Sequence, residues 1–173
     1  ARRQNAAVKL IAWAKQTEDG PALAVEPMLV PRESQLAGVD DVFNAVMVRG
    51  DMLGDVMFYG KGAGKLPTAS AVTADVLDAL RNGGSIHESL FWTDSEPMEG
   101  VYEDASPADR YVRAEGGAAA VRAVFGDVEI LDEADGEIAF ALRGKSVAQT
   151  RALCEEAARQ DVRVKNVLKW LTL

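Results

Sequence analysis

The residues best suited to chemistry are Gly60-Lys61-Gly62-Ala63-Gly64-Lys65, followed directly by Leu66-Pro67-Thr68-Ala69-Ser70-Ala71-Val72. Glycines let a backbone approach a ligand closely, and the N–H groups at a helix start favour negative or polar ligand atoms. Pro67 suits the first helical turn, where its missing N–H costs nothing, and Val72, Val76, Ala79 and Leu80 then fall at helical spacing. The run is not a Walker loop, because no glycine stands five residues before Gly64-Lys65 and Leu66 replaces the required Ser or Thr. Nor is it a dinucleotide fingerprint, since Lys65 occupies the place of the third glycine.

Other reactive side chains stand apart. His87 is the single histidine and has no partner at metal-ligand spacing, so no zinc site is expected. Cys154 is the single cysteine; it excludes an internal disulfide and lies on an expected helix, where a half-buried thiol is the simplest reading. Asp40 and Asp41 are adjacent, so on a strand they would face opposite sides and could not share a proton. Lys61 and Lys65 are read as solvent-exposed.

The elements that must position the glycine run come next. Two β-prone runs, 8–15 and 22–30, flank the turn cluster Thr17-Glu18-Asp19-Gly20 and predict a hairpin. Pro27 and Pro31 cannot donate to a ladder, so the second strand should lie at an edge or end soon after Val30. A turn or short helix over 33–38 leads to strands at 42–49 and 55–59, making an antiparallel sheet of about four strands. The helix after the glycine run should end at Asn82-Gly83-Gly84. Residues 86–108 read as an acidic linker, with Phe91, Trp92 and Tyr102 suggesting that it docks.

Beyond the linker the pattern predicts a strand at 110–114, a helix at 117–125 with Val121, Val124 and Phe125 inward, and strands at 128–131 and 137–143 joined by Asp135-Gly136. Ser146 should cap a helix to Gln160 that buries Val147, Leu153, Ala157 and Ala158, before a last strand at 162–171. The order βαββαβ is ferredoxin-like. The expected class is α+β: an antiparallel sheet with a helix, then a ferredoxin-like domain, divided as 1–85, 86–108 and 109–173.

The chain has 173 residues, 48% hydrophobic content and a net charge of −8, which suits a folded protein and argues against nucleic acid or an anionic membrane as partner. A reducing cytoplasm fits the single cysteine. The first residues, with neither initiator methionine nor signal core, suggest a piece of a longer polypeptide.

The string FNAVMVRGDMLGDVMFYGKGAGKLPTASAVTADVLDAL at 43–80, together with Pro27, Leu29, Val30 and Pro31, resembles the carboxy-terminal part of homoserine dehydrogenase. The resemblance implies a nicotinamide-dependent oxidoreductase reducing aspartate semialdehyde to homoserine for threonine, methionine and isoleucine synthesis. Residues 1–85 would be the end of its substrate domain. Gly62, Ala63 and Gly64 would face the NAD(P) cofactor, and Pro67, Thr68 and Ala69 would place the helix start. The family's Rossmann domain and its catalytic Asp and Lys would precede residue 1, so the resemblance implies no catalytic residue here, no cofactor held by these residues alone, and an inactive piece. Residues 109–173 are similar in order and length to an ACT regulatory domain, although Glu115-Gly116-Gly117 replaces the common Asp-x-Pro-Gly. Gly116 and Gly117 are the candidate contacts for an amino-acid effector such as threonine. The alternative is a module that dimerises and senses without catalysis, pairing with itself through the antiparallel sheet or the ACT-like part.

Overall fold

In the computed structural model, residues 1–17, 20–83 and 106–172 are described. The chain divides into two compact units, one formed by residues 1–37 with 99–173 and the other by residues 38–98.

The first unit holds a six-stranded sheet. Strands β1 (Ala6–Thr17) and β2 (Gly20–Pro31) form the predicted hairpin, with Ala6 opposite Pro31 and Thr17 opposite Gly20. After the second unit come β5 (Ala108–Glu115), α2 (Ala118–Phe125), β6 (Glu129–Ala134), β7 (Glu137–Lys145), α3 (Val147–Arg159) and β8 (Arg163–Trp170). The sheet order is β1-β2-β8-β5-β7-β6.

The expectation of one four-stranded antiparallel sheet from the first four strands is therefore wrong. The outer edge of β2 is taken by β8, in parallel, through Met28 opposite Lys169 and Leu29 opposite Trp170. The Leu171 N–H then donates to the Leu29 carbonyl at 2.8 Å. Prolines help keep this joint short, since Pro27 and Pro31, which bracket the paired residues Met28 and Leu29, have no N–H to donate. Thus β2 is not an edge strand, although it stops at Pro31 as expected.

Burial explains the rest of this unit. Val112 and Ala114 on β5, Ile138, Phe140 and Leu142 on β7, and Val162 are all within 1% of complete burial, packed with Val121 and Phe125 of α2 and Ala157 of α3. Phe125 and Phe140 pack in a tilted pair, with centroids 4.8 Å apart and planes at 55°. Ser146 accepts from the Gln149 N–H and Gln149 returns a bond to the Ser146 N–H, the reciprocal cap that starts α3. On α3 the buried positions are Thr150 and Ala157, with Leu153 half-buried; Ala158, expected inside, is exposed. Thr150 satisfies its hydroxyl on the Ser146 carbonyl at 2.8 Å, which lets a polar residue take an inward position.

A second small core lies on one face of the hairpin, where Met28, Val30 and Ala37 pack with Ile11, Trp13, Leu36 and Leu171. Its other face is apolar yet exposed: Val8, Leu10, Leu23 and Val25 are each half or more in solvent.

The second unit contains β3 (Phe43–Gly50), β4 (Gly54–Lys61) and α1 (Lys65–Arg81). The β3–β4 pair forms its own two-stranded ladder. Gly83 closes α1 with φ 61°, the left-handed geometry expected of the glycine pair. Among its described residues none is buried, and the α1 stripe of Val72, Val76, Leu77 and Leu80 stands 47–71% exposed. His87, Phe91, Trp92, Tyr102 and most of the expected linker lie outside the described residues.

Candidate functional site

The glycine run leaves a rigidly registered ladder. At the far end of the hairpin, Arg49 makes two bonds to the Asp55 carboxylate, at 2.6 and 2.7 Å, across the turn that Gly54 permits with φ 67°. The Arg49 bond holds the Asp55 carboxyl below its usual range. At the near end Phe43 stacks on Tyr59, with centroids 4.8 Å apart and planes at 7°, and the Lys61 ammonium lies 5.7 Å above the Phe43 ring. These contacts all lie on one face, because strand neighbours alternate.

The opposite face belongs to Asn44, Gly60 and Gly62. Asn44 pairs with Gly60, and Gly62 follows two residues on, on the same side. A Cβ on Gly62 would lie 2.5 Å from Asn44 Nδ2 and 3.0 Å from its Cγ. A Cβ on Gly60 would meet nothing within 4 Å. The two glycines thus have different reasons to exist: Gly62 yields to the Asn44 carboxamide, and Gly60 leaves open backbone.

Gly64 has a third reason. Its φ of 114° and ψ of 156° belong to a region that L side chains rarely adopt, and from there the chain enters α1 with no side-chain cap. The Thr68 N–H closes the first helical bond on the Gly64 carbonyl at 3.1 Å. Lys65 and Leu66 precede Pro67, so two N–H groups at the start of α1 lack intrahelical partners and Pro67 has none to offer. Pro67 is half-buried, whereas Gly62, Ala63, Gly64, Thr68 and Ala69 are exposed. Lys61 and Lys65 are exposed as read from the sequence. The six predicted positions therefore form one accessible rim made of a loop and a helix start. Such a rim can offer backbone donors and a flat approach to a planar or anionic group, but it carries no acid, base or nucleophile.

Gly116 and Gly117 belong to the other unit, between β5 and α2. Gly116 has φ 136°, and a side chain there would touch Val162 at 3.6 Å; Gly117 is the N-cap of α2 and has open space around it. Cys154 is half-buried, and burial pushes its thiol up, away from thiolate chemistry. No group of metal-ligating side chains occurs among the described residues, and none of their helices is long and apolar enough to cross a membrane. Asn44 was the residue that sequence reasoning passed over. Its signal was a carboxamide on a strand opposite the first of two glycines spaced by two.

Comparison with known proteins bears on residues 1–77, which match the homoserine dehydrogenase family model. Homoserine dehydrogenase of Neisseria gonorrhoeae is 50% identical over 74 residues, covering 43% of this chain and 17% of that protein. The Pseudomonas aeruginosa enzyme is 47% identical with the same coverages, and that of Mycobacterium tuberculosis is 55% identical over 58 residues, 34% of this chain and 13% of its own. The chain thus spans about a sixth of the curated relatives it matches. A crystal structure of homoserine dehydrogenase from Thiobacillus denitrificans superposes on 98% of this chain and 43% of that one, with a TM-score of 0.77 at 24% identity, a likeness of fold. One from Staphylococcus aureus covers 99% of this chain and 43% of that one, with a TM-score of 0.66 at 25% identity.

Proposed function

We propose, because residues 1–77 match the homoserine dehydrogenase family model, that the chain is part of an NAD(P)-dependent homoserine dehydrogenase, which reduces aspartate semialdehyde to homoserine for threonine, methionine and isoleucine synthesis. The observation that carries this reading is an accessible glycine rim continuous with a helix whose apolar stripe has no cover among the described residues. Such a stripe is what a helix presents when its packing partner lies in another part of an enzyme.

The rim suits a nicotinamide nucleotide. Gly60 leaves open space, the loop contains no carboxylate to repel a phosphate, and the start of α1 supplies unpaired N–H groups. When bound, the nicotinamide supplies or takes the hydride. Gly62, Ala63 and Gly64 line its side, and Pro67, Thr68 and Ala69 hold the helix start in place. Their role is to orient and to exclude water, since none of them can move a proton.

These 173 residues by themselves are expected to be inactive, in keeping with covering 43% of the solved dehydrogenase chains. Purified chain supplied with NADPH and aspartate semialdehyde should give no turnover above background; appreciable turnover would overturn this part of the reading. The β5-α2-β6-β7-α3-β8 succession, with strand order β8-β5-β7-β6, suits an ACT-like regulatory domain with effector contacts at Gly116 and Gly117. Calorimetry with threonine, methionine and lysine tests that role, and the absence of heat for all three would remove it.

A second reading, dimerisation and sensing without catalysis, is favoured by the hairpin face of Val8, Leu10, Leu23 and Val25, which is uncharged and exposed. A face without charge is complementary to itself, so a two-fold pair of chains is its simplest cover. Sedimentation of a clean monomer at micromolar concentration would count against it.

A further inference from the structure

We propose that Asn44 is a positioning residue for the Gly62–Gly64 segment, acting by packing its carboxamide across the backbone of Gly62. Asn44 stands opposite Gly60 on the ladder, so its side chain starts over a residue that has none. It then leans along the strand until Nδ2 fills the place where a Gly62 side chain would begin, 2.5 Å from that Cβ position. The same Nδ2 reaches back to the Val42 carbonyl at 3.4 Å, a long contact that keeps the amide turned toward the loop. The carboxamide thus lies against Gly62 and leaves the space at Gly60 open.

The consequence falls on the loop. Beyond Lys61 the ladder has ended, and before Thr68 no intrahelical bond has formed, so residues 62–64 have little else to fix their path. The other face of the ladder end is braced by Phe43, Tyr59 and Lys61. Asn44 braces this one. The inference deepens the cofactor reading, because a loop held in one path loses less entropy on binding than a wandering one.

The test uses the longest natural polypeptide containing residues 1–173 and the variants Asn44→Ala, Gly62→Ala and the double variant. Peptide-level hydrogen exchange is read for 61–68, with the ladder (45–48 and 56–58) and the β7 core (138–142) as internal controls. Either single substitution removes the same contact, since a methyl on residue 62 displaces the amide. Exchange at 61–68 should rise about tenfold in each. The double variant should be no worse than either, and both controls should stay unchanged. In Asn44→Ala the KM for NADPH should rise by a similar factor while kcat stays within about threefold. Unchanged exchange at 61–68 in Asn44→Ala, or effects that multiply in the double variant, would overturn the proposal. Loss spread equally over 45–48 and 56–58 would also overturn it, by reducing Asn44 to an ordinary ladder residue. If exchange behaves as expected but NADPH neither binds nor turns over in the unsubstituted polypeptide, Asn44 keeps its role and the cofactor reading falls.

Discussion

The exposed stripe of α1 gives the sharpest test of where this segment belongs. Val72 and Val76 are 57% and 53% exposed, Leu77 is 47% exposed and Leu80 71%, so the four leave the equivalent of rather more than two whole side chains in water. Covering that surface would contribute about 3–7 kcal/mol. Consider Val72→Lys combined with Val76→Lys. In the 173-residue chain both lysines can keep their ammonium groups in solvent, and lysine has the better helix propensity, so urea unfolding followed at 222 nm should change by less than about 0.5 kcal/mol. In the longest natural polypeptide the same pair should cost at least about 3 kcal/mol, because each lysine forfeits the apolar contact and brings an unpaired charge to a dry surface. Sedimentation of the 173-residue pair identifies the partner: a dimer that falls to monomer would make the cover a second copy. The reasoning is refuted if the isolated chain itself loses more than about 2 kcal/mol, since α1 would then be packed within these residues, or if the longer polypeptide loses nothing.

Three further outcomes follow from single positions. Gly64→Ala should cost about 1–3 kcal/mol and fray the start of α1 in circular dichroism, because φ 114° admits no ordinary side chain, whereas Gly60→Ala should be nearly silent; equal costs would refute the distinction. Phe140→Ala, at a fully buried position against Phe125, should lower stability by about 3–5 kcal/mol in thermal unfolding, and a loss under about 1 kcal/mol would mean the core closes around the gap. Burial works against ionisation of Asp109, but bonds from Arg143 and the Gly144 N–H outweigh it and hold the carboxyl below the usual aspartate range. Its contribution is therefore present above the unfolded pKa and lost as pH falls through the folded one; being 37% exposed, the group is screened to under about 1 kcal/mol. Asp109→Asn should be less stable than the parent at pH 7 and indistinguishable at the acid end, and a gap that persists or widens there would reverse the sign.

Local signals were legible where they depend on neighbours close in the chain. The alternation of Ile138, Phe140 and Leu142, the cap at Ser146 and the turn at Asp135-Gly136 each depend on neighbours within a few residues, and each is where the pattern put it. What failed was sheet membership. Nothing in residues 20–31 marks that Met28 and Leu29 will pair with Lys169 and Trp170, because parallel pairing leaves no turn in the sequence to announce it. Arg110, a charged residue on β5, is only 5% exposed; β5 shifts register beside it and its guanidinium bonds the carbonyls of Ala108 and Lys145. In the glycine run, position was legible and cause was not. Three glycines that look alike in sequence answer to open space, a neighbour's carboxamide and a backbone angle.

The β2–β8 joint changes how the two ends of the chain must be thought of. By sequence, residues 1–37 lie in the segment that matches the dehydrogenase family, and β8 lies beyond it. By contact, β1 and β2 share a sheet with β8, β5, β7 and β6, and Leu171 packs into the small core of Met28, Val30 and Ala37. A carboxy-terminal module merely appended by a linker would leave Met28, Leu29 and Val30 complete without it; here all three are within 2% of full burial, and two of them pair with its last strand. Any shift of β8 must therefore move backbone hydrogen bonds and apolar contacts of β2. If the carboxy-terminal strands carry the regulatory role proposed above, this joint is where their signal would enter the family-matched residues.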